Sequence, residues 1–544
     1  MSSLHTNAFP PEEETLALSA LPRRENPWID LPAQRDDVVL DEGLLRLVHD
    51  DTTPDAARTA DLLLIADALR AADVRVLLIR HDLHTPALAI DLADADRAAA
   101  ALRSLGREEP LYLKAKGAAP VFAADATIPA VAPHVMRAYR PRITVNGGRR
   151  YDHEYGVRLE FWRFGESTVE APQANALMRR VTPAKDVTIV SATRWEREWD
   201  TVIGMLDPHP REVTHDIDMV FSWVDGSASE FQRQRAAQLS EYVVGEGDDG
   251  PARYRHVDEL RYALRSVHMY APWVRRIFIA TDSPAPSWLA DHPQVTIARS
   301  EEFFADPSTL PTHNSHAVEA QLHRIDGLAE HFLYSNDDMF FGRPVHPELF
   351  FSPGGVSSFV ECDVRIGAGE PRLERSGHDN GLRVNRALLE ERFGRIILRD
   401  LEHCAAPLRR SVMSELEEAF PEDFRRTAAS RFRASTDISV TNSLYHYYAM
   451  FTGRAIPTTV PRTRYVQTTL ARSLAGMERL AKRRDIDMFC LNDGGETEVP
   501  EEIRVTSLRD VLERMFPIRA PWEIPLVSEA RTRDASAVRS GVKR

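Results

Sequence analysis

Four groups of polar residues stand where apolar runs stop, and each could carry chemistry. The first is Trp223-Val224-Asp225-Gly226, at the end of the run Ile217-Asp218-Met219-Val220-Phe221-Ser222. Trp223 offers a ring that could stack on a base. Asp225 could hold a ribose hydroxyl or a base, and Gly226 lets the backbone turn away. A core tryptophan followed by a plain Asp-Gly turn is the competing reading. The second group is Asn336-Asp337-Asp338, between the runs ending at Ser335 and starting at Met339. Hard divalent cations take oxygen ligands, and magnesium uses one or two carboxylates plus phosphate oxygens. Asp337 and Asp338 could therefore hold Mg2+ or Mn2+ against a diphosphate. An Asx turn closing a strand would use the same letters.

The third group lies on a predicted helix, 315–328. His316, Glu319 and His323 fall at i, i+3 and i+7, on one helical face, where a base and its orienting partner could sit. An ordinary exposed helix shows the same spacing. The fourth is His403 with the later Arg431-Phe432-Arg433. Histidine moves protons near neutral pH and arginine clamps phosphate, a pairing suited to phosphoryl chemistry.

These groups need a scaffold that brings strand ends together. From Asp216 the chain alternates strand and helix. Strands are expected at 217–223, 277–281, 295–298 and 331–335, and helices at 258–270, 315–328 and 409–420. Alternation of this kind implies a largely parallel sheet in an α/β domain. Ligands of such sheets bind beyond the carboxyl ends of the strands. Before it, 51–205 reads as a smaller α+β accessory domain, with helices at 56–72 and 94–105 and strand-like runs at 74–79, 110–113, 142–145, 157–164 and 187–190. Residues 194–215 read as a linker helix and turn. The acidic cluster Asp91, Asp94 and Asp96 reads as a helix N-terminus carrying acids. Residues 1–50 and 527–544 are expected to be flexible.

Composition narrows the classes. The chain has 544 residues, 43% hydrophobic and 28% charged, with a formal net charge of −14. Those values describe a folded globular chain and speak against broad binding of nucleic acid. Three cysteines, Cys362, Cys404 and Cys490, exclude a disulfide framework and suit a reducing compartment. No run of about 18 apolar residues suggests a membrane span. A cytoplasmic protein, at most peripheral to a membrane, is the expectation.

The blocks, taken in order, resemble the Stealth family of sugar-phosphate transferases. The resemblance is carried by IDMVFSWVDG (217–226), by the stretch from DELRYALRSVHMYAPWV to LYSNDDMFFG (258–342), by HDNGLRVNRALLEERFG, EHC and ELEEAFPEDF through STDIS (378–439), and by FCLND (489–493) with RDVLERMFPIRAPWE (509–523). It spans Asp216 to Pro525, a catalytic domain expected over 206–526. It implies a Rossmann-like, nucleotide-sugar-binding core with helical additions, similar to the GT-A glycosyltransferases. It implies catalytic roles for Glu319, Asp338, His403 and Arg433, and metal binding by Asp337 and Asp338. Trp223, Asp225, Gly226, Arg383, Asn385, Asn492 and Asp493 match its substrate and nucleotide motifs. After His403 this chain has Cys404-Ala405-Ala406-Pro407, a departure that bears on acceptor contacts.

The implied reaction moves a sugar 1-phosphate from a UDP-sugar to a glycan hydroxyl and releases UMP, with Mg2+ or Mn2+ as cofactor, in capsule or cell-wall polysaccharide synthesis. His403 would be the general base or, alternatively, a nucleophile. Two rivals stay open: an ordinary glycosyltransferase releasing UDP, and a non-catalytic nucleotide-sugar binding protein.

Overall fold

The computed structural model describes residues 19–20, 27–127, 134–226, 233, 257–493 and 497–525. The centre of the second half is a five-stranded sheet in the order Val295–Ala298, Ile277–Ala280, Ile217–Ser222, His331–Asn336, Ala406–Arg409. The first four strands are parallel, and the Ala406–Arg409 edge strand runs antiparallel to His331–Asn336. In chain order this is 3-2-1-4-5, so the winding reverses between Ile217–Ser222 and His331–Asn336. The mixed α/β architecture and parallel sheet follow the expectation, with boundaries within two residues of those predicted for the strands.

Alternation along the strands builds two cores. Ile217, Met219, Phe221, Ile277, Ile279 and Leu333 face one side, against Leu260, Leu264 and Val267 of the helix Glu259–Tyr270 and residues of the helix Glu501–Met515. Val220, Phe278, Phe332, Tyr334 and Leu408 face the other, against Leu382, Leu389, Met413 and Leu416. Strands buried on both faces read as continuous apolar runs, which is why they were legible. Asp218 interrupts the run because it is a structural anchor, accepting from Arg275 at 2.9 and 2.7 Å and from the Ala329 amide at 2.7 Å.

A second, three-stranded sheet matters for the site. Met488–Asn492 pairs antiparallel with Met339–Phe341, placing Cys490 opposite Met339, and parallel with Thr463–Gln467. The chain end is fastened by Glu523, which takes Arg265 at 2.6 and 2.7 Å and Arg261 at 2.7 Å.

The first half forms its own mixed sheet, covered by the helices Pro54–Ala71 and Ala95–Glu108. Three expectations change here. Residues 38–49 are not flexible: Val38–Asp41 and Leu44–His49 pair with each other, and the latter with Arg142–Thr144. The expected linker helix in 194–215 is instead the strand Arg197–Val202, which pairs with Ile189–Arg194 and continues the sheet to Val76–Arg80. Its buried Trp199, Thr201 and Val202 alternate with exposed charge, a period of two. The strands Pro86–Asp91 and Val135–Tyr139 also join the sheet unannounced. Asp91 caps the turn leading into the following helix, accepting from the Ala93 amide at 2.9 Å, as its helix-start reading requires. The expected tail 527–544 lies outside the described residues.

Candidate active site

The winding reversal sets two chain exits side by side. Ser222 is in register with Asn336, so Trp223–Gly226 and Asp337–Asp338 leave the same ends of neighbouring strands. Such a switch point is where doubly wound sheets bind ligands. The antiparallel edge strand adds a third segment. Ala406 lies opposite Tyr334, so residues before Ala406, including His403, run back along those that follow Tyr334. The Met488–Asn492 strand delivers a fourth.

These segments surround Asp338. Its Oδ2 accepts from the Asn492 amide at 3.2 Å and from the Cys490 thiol at 3.4 Å. Its Oδ1 is buried without a hydrogen-bond partner. Burial raises the Asp338 pKa, opposed by the nearby His403. The same burial, with the Asp338 charge, holds the Cys490 thiol protonated, so Cys490 is a donor to the carboxylate. Asn492 accepts in turn from the Tyr465 hydroxyl at 3.1 Å, and the Tyr465 ring packs edge-on against His403, centroids 5.1 Å apart. Asp493 is fixed from behind by the Thr468 hydroxyl and lies 3.9 Å from Arg504. Asp225 is partly exposed at the rim, its amide bonded to the Ser283 hydroxyl at 2.9 Å, while Trp223 is buried. The Gly226 amide closes a turn onto the Val224 carbonyl at 3.1 Å.

A buried carboxylate oxygen with an unmet acceptor capacity fits an oxygen-seeking divalent cation. Among the described residues, no group of three or more His, Cys, Asp or Glu side chains is arranged to hold a metal by itself. A cation at Asp337 and Asp338 would therefore draw its other ligands from water and substrate.

The second pole is Glu319, fully enclosed, which accepts from the Thr441 hydroxyl at 2.7 Å and the Tyr334 hydroxyl at 3.2 Å. Burial raises its pKa against those hydrogen bonds and the positive field of Arg433. Arg433 donates to the Ser315 hydroxyl at 2.9 Å. Its stem lies so close to Gly377 that a Cβ there would sit 2.5 Å from the arginine Cδ. Asn314 ties the two carriers together. Its Oδ1 accepts from the His316 amide at 3.1 Å, capping the helix Ser315–Glu319. Its Nδ2 donates to the carbonyls of Ser430 (3.1 Å) and Phe432 (3.4 Å) and to Asp437 Oδ2 (2.8 Å).

A further pair, which no motif in the sequence marks, joins the site. His378 Nε2 lies 2.8 Å from Asp400 Oδ2, and its ring centroid is 6.0 Å from that of His403. Burial disfavours the charge on His378, but the hydrogen bond and charge of Asp400 outweigh it and raise the pKa. His403 is pushed the opposite way, down, by burial and then by the charge of His378. Two imidazoles with opposed shifts suit one neutral and one charged role.

Some predicted residues are elsewhere. The expected helix 315–328 ends at Glu319 and is followed by a separate turn, Leu322–Arg324. His323 thus leaves the face of Glu319 and binds Glu417 at 2.9 Å. Arg383 is buried and spends its guanidinium on its own helix, at the Asp379 carbonyl (2.9 Å) and carboxylate, and on the Ala368 carbonyl (3.5 Å). Asn385 is completely enclosed, donating to the Ser439 carbonyl at 2.8 Å and accepting from its amide at 3.3 Å. It reaches the site only by fixing the segment that carries Thr441.

Three family models match the chain: Stealth protein conserved region 2 at residues 253–359, conserved region 3 at 402–450 and conserved region 4 at 478–534. An exopolysaccharide phosphotransferase CpsY of Mycobacterium tuberculosis is 50% identical over 516 residues, 94% of this chain and 97% of its own. This chain belongs to the Stealth phosphotransferase family. An exopolysaccharide phosphotransferase of Nocardia farcinica is 52% identical over 467 residues, 86% of this chain and 87% of its own. One of Streptomyces coelicolor, SCO6021, is 38% identical over 528 residues, 91% and 94% of the two chains. The galactosyltransferase LgtC aligns with 57% of this chain and 97% of its own at 10% identity and a TM-score of 0.29, a likeness too slight to bear on the fold. Asp338, His403 and Arg433 lie within or between the matched regions, and Glu319 lies in the first. Among the described residues no helix is long and apolar enough to cross a membrane.

Proposed function

We propose that this Stealth protein transfers a hexose or N-acetylhexosamine 1-phosphate from a UDP-sugar to a glycan hydroxyl, forming a phosphodiester and releasing UMP. The site would serve capsule or cell-wall polysaccharide synthesis, in the cytoplasm or at the inner face of a membrane. The observation that carries the reading is the buried, unpartnered Oδ1 of Asp338 at the switch point, electrostatically coupled to a histidine whose pKa is lowered. The names of the relatives agree with it.

Phosphoryl transfer asks for alignment and charge neutralisation more than for covalent help. Bound at Asp337 and Asp338, Mg2+ or Mn2+ would supply neutralisation of the donor diphosphate. His403, neutral because it is buried and beside a charged His378, can take the acceptor proton on an imidazole nitrogen. The acceptor oxygen then bonds to the sugar-bearing β-phosphorus, the bond from that phosphorus to the bridging oxygen breaks, and UMP leaves. Arg433 faces the oxygens that gain charge. Glu319, held by the Thr441 and Tyr334 hydroxyls within the field of Arg433, would orient His403 or the acceptor. His378, charged against Asp400, adds a second cation. Asp225 stands at the rim of the strand end where a nucleoside would lie; Trp223 packs into the core beneath it, as a core tryptophan and not as a stacking platform.

The test is incubation with a panel of nucleotide sugars, Mg2+ or Mn2+, and glycan acceptors, with the nucleotide product identified. UMP with a phosphodiester signal in phosphorus NMR is expected. UDP would establish the ordinary glycosyltransferase instead, and binding without turnover a non-catalytic role.

A further inference from the structure

The seam between the two halves of the chain holds a cavity of about 580 Å³ lined by Gly147–Arg150, Asp152, Glu154, Tyr155, Ala481–Arg484 and Arg514. Six of these residues are cationic and two anionic, in a chain whose net charge is −14. Counter-charges inside the protein account for half of the cations. Arg150 pairs with Asp41 at 2.8 Å, Arg483 with Asp485 at 3.0 Å and Arg514 with Asp510 at 2.8 Å. Of the acids, Asp152 is taken by Arg46 at 2.6 Å. Among the described residues no carboxylate forms an ion pair with Arg149, Lys482 or Arg484.

Arg149 is 5% exposed, and its Nε is buried without a hydrogen-bond partner. Arg484 crosses the seam, donating to the Gly148 carbonyl at 2.6 Å and the Arg514 carbonyl at 2.8 Å. Burial and the neighbouring Arg149 charge push its pKa down to about 10. Arg149 is buried and Arg484 half-buried. Arg149 donates to the Tyr155 hydroxyl at 2.5 Å and lies over the Tyr151 and Tyr270 rings. Among the described residues neither guanidinium has a carboxylate in an ion pair, and an anion would stabilise the two together. A cavity of this volume is in the range of ligand sites.

The cavity is remote from the reaction centre. Tyr270, which packs against Arg149 with its ring centroid 5.8 Å from the guanidinium carbon, ends the helix whose other end, Glu259, influences Asp338. Twelve residues of helix span about 18 Å. Likewise Arg484 lies before the strand Met488–Asn492, whose far end binds Asp338. A free nucleotide product leaving the centre has no reason to lodge there. A polymer that carries phosphodiesters at intervals can occupy both places at once.

We propose that this seam is a binding site for the phosphodiester backbone of an acceptor chain already extended by earlier rounds of transfer. The site takes anionic phosphodiesters on Arg149, Arg484 and Lys482, and gives the N-terminal half a direct part in holding the polymer. The identity of the polymer rests on the reaction proposed above; the anion site rests on the cavity.

The probe is a fluorescent poly(glycerol phosphate), with neutral dextran as control, titrated into the full-length chain. The chain is expected to bind the phosphate polymer and not the dextran, with affinity falling as salt rises. The variants Lys482→Ala and Lys482→Glu, at an exposed cation that forms no ion pair among the described residues, should each weaken binding, the second about tenfold or more. Their thermal midpoints and their rates of UMP release onto a short neutral acceptor should stay at wild-type values. Equal binding by the variants, or none by the wild type, overturns the proposal. Displacement of the polymer by inorganic phosphate or UMP at equal phosphorus concentration also overturns it, assigning the cavity to free phosphate. If the wild type binds the polymer yet releases no UMP from any donor, the reaction reading falls and the anion site stands.

Discussion

Asn314 donates to Asp437 across 2.8 Å, and that bond joins the helix carrying Glu319 to the loop carrying Arg433. The Asp437 carboxylate also receives the Ala434 amide at 2.8 Å, so the loop beyond Arg433 is folded around it. Neither residue needs to touch substrate for its loss to be felt at the reacting atoms. Asn314→Ala removes a helix cap and three loop contacts. It should cost about 1–3 kcal/mol of stability. A displacement of about 1 Å in a positioned group can cost about 100-fold in rate. UMP release by Asn314→Ala should therefore fall by more than its loss of folded protein explains. A circular-dichroism melt beside a rate assay separates the two, and an unchanged rate in folded variant would deny the clamp its role.

Asp437 also makes stability depend on pH. Burial raises its pKa to about 6, against its hydrogen bonds. An unfolded aspartate titrates near 3.9. The folded state therefore binds the proton more tightly. Its contribution to stability is fully present below about pH 4 and is lost as pH rises through about 6. The shift corresponds to an order of 3 kcal/mol, about 1.4 per unit. Asp437→Asn, which keeps a neutral side chain at every pH, should gain stability relative to wild type between pH 4 and 7. Thermal midpoints of both proteins across that interval check this, and parallel curves would show that Asp437 is not protonated on folding.

The carboxylate at the switch point has a different signature. Asp338→Asn retains a side chain of the same shape and relieves a buried charge, so the fold should survive. Transfer should drop by about 100-fold or more, the scale of several kcal/mol expected where a cation neutralises phosphate oxygens. Chelation of the wild-type protein should give the same loss, reversed by Mg2+ or Mn2+. Full UMP release in the presence of chelator would remove the metal from the proposal.

How far the site was legible follows from where its parts lie in the chain. Asp337, Asp338, Asp225 and Asn492 end apolar strands, and a strand buried on both faces announces its own end. The antiparallel edge strand was harder, because Pro407 sits within it, a residue tolerated in sheets mainly at edges. His323 follows the helical period of Glu319 in sequence, but the helix stops before it. Gln321, at φ −114°, breaks the helix, and its side chain accepts from the Ala305 amide at 2.9 Å instead. Arg383 and Asn385 look like ligands in one dimension and are tie-points in three. The residues that hold Glu319 and His378, namely Thr441 and Asp400, are separated from them by 122 and 22 positions, and no local pattern connects them. His378 itself sits in the first turn of the helix Gly377–Phe393, where a polar residue is ordinary. In the N-terminal half, strands such as Arg197–Val202 alternate charge with burial and so hide among polar letters.

The His378–Asp400 pair makes the sharpest prediction because it sets the charge beside His403. With Asp400 in place, the pKa of His378 is raised above its ordinary value near 6.5 although burial opposes it. Asp400→Asn removes the opposing charge and leaves burial in control, so the pKa of His378 falls and the ring loses its proton at neutral pH. His403 then no longer faces a cation; the lost downward pull of His378 is larger than the lost upward pull of Asp400 itself, so the His403 pKa moves upward. If His378 works as a charged group, the alkaline limb of kcat/KM for UMP release should shift to lower pH in Asp400→Asn. If His403 works as the base, the acid limb should shift to higher pH, narrowing the profile from both sides. Loss at the optimum should be about 10- to 100-fold, the scale of a single acid–base contribution. His378→Gln should lose a similar amount, and the double variant little more, because the two act as one unit. A profile that keeps its shape in Asp400→Asn, with rates merely scaled down, would reduce the pair to a packing role.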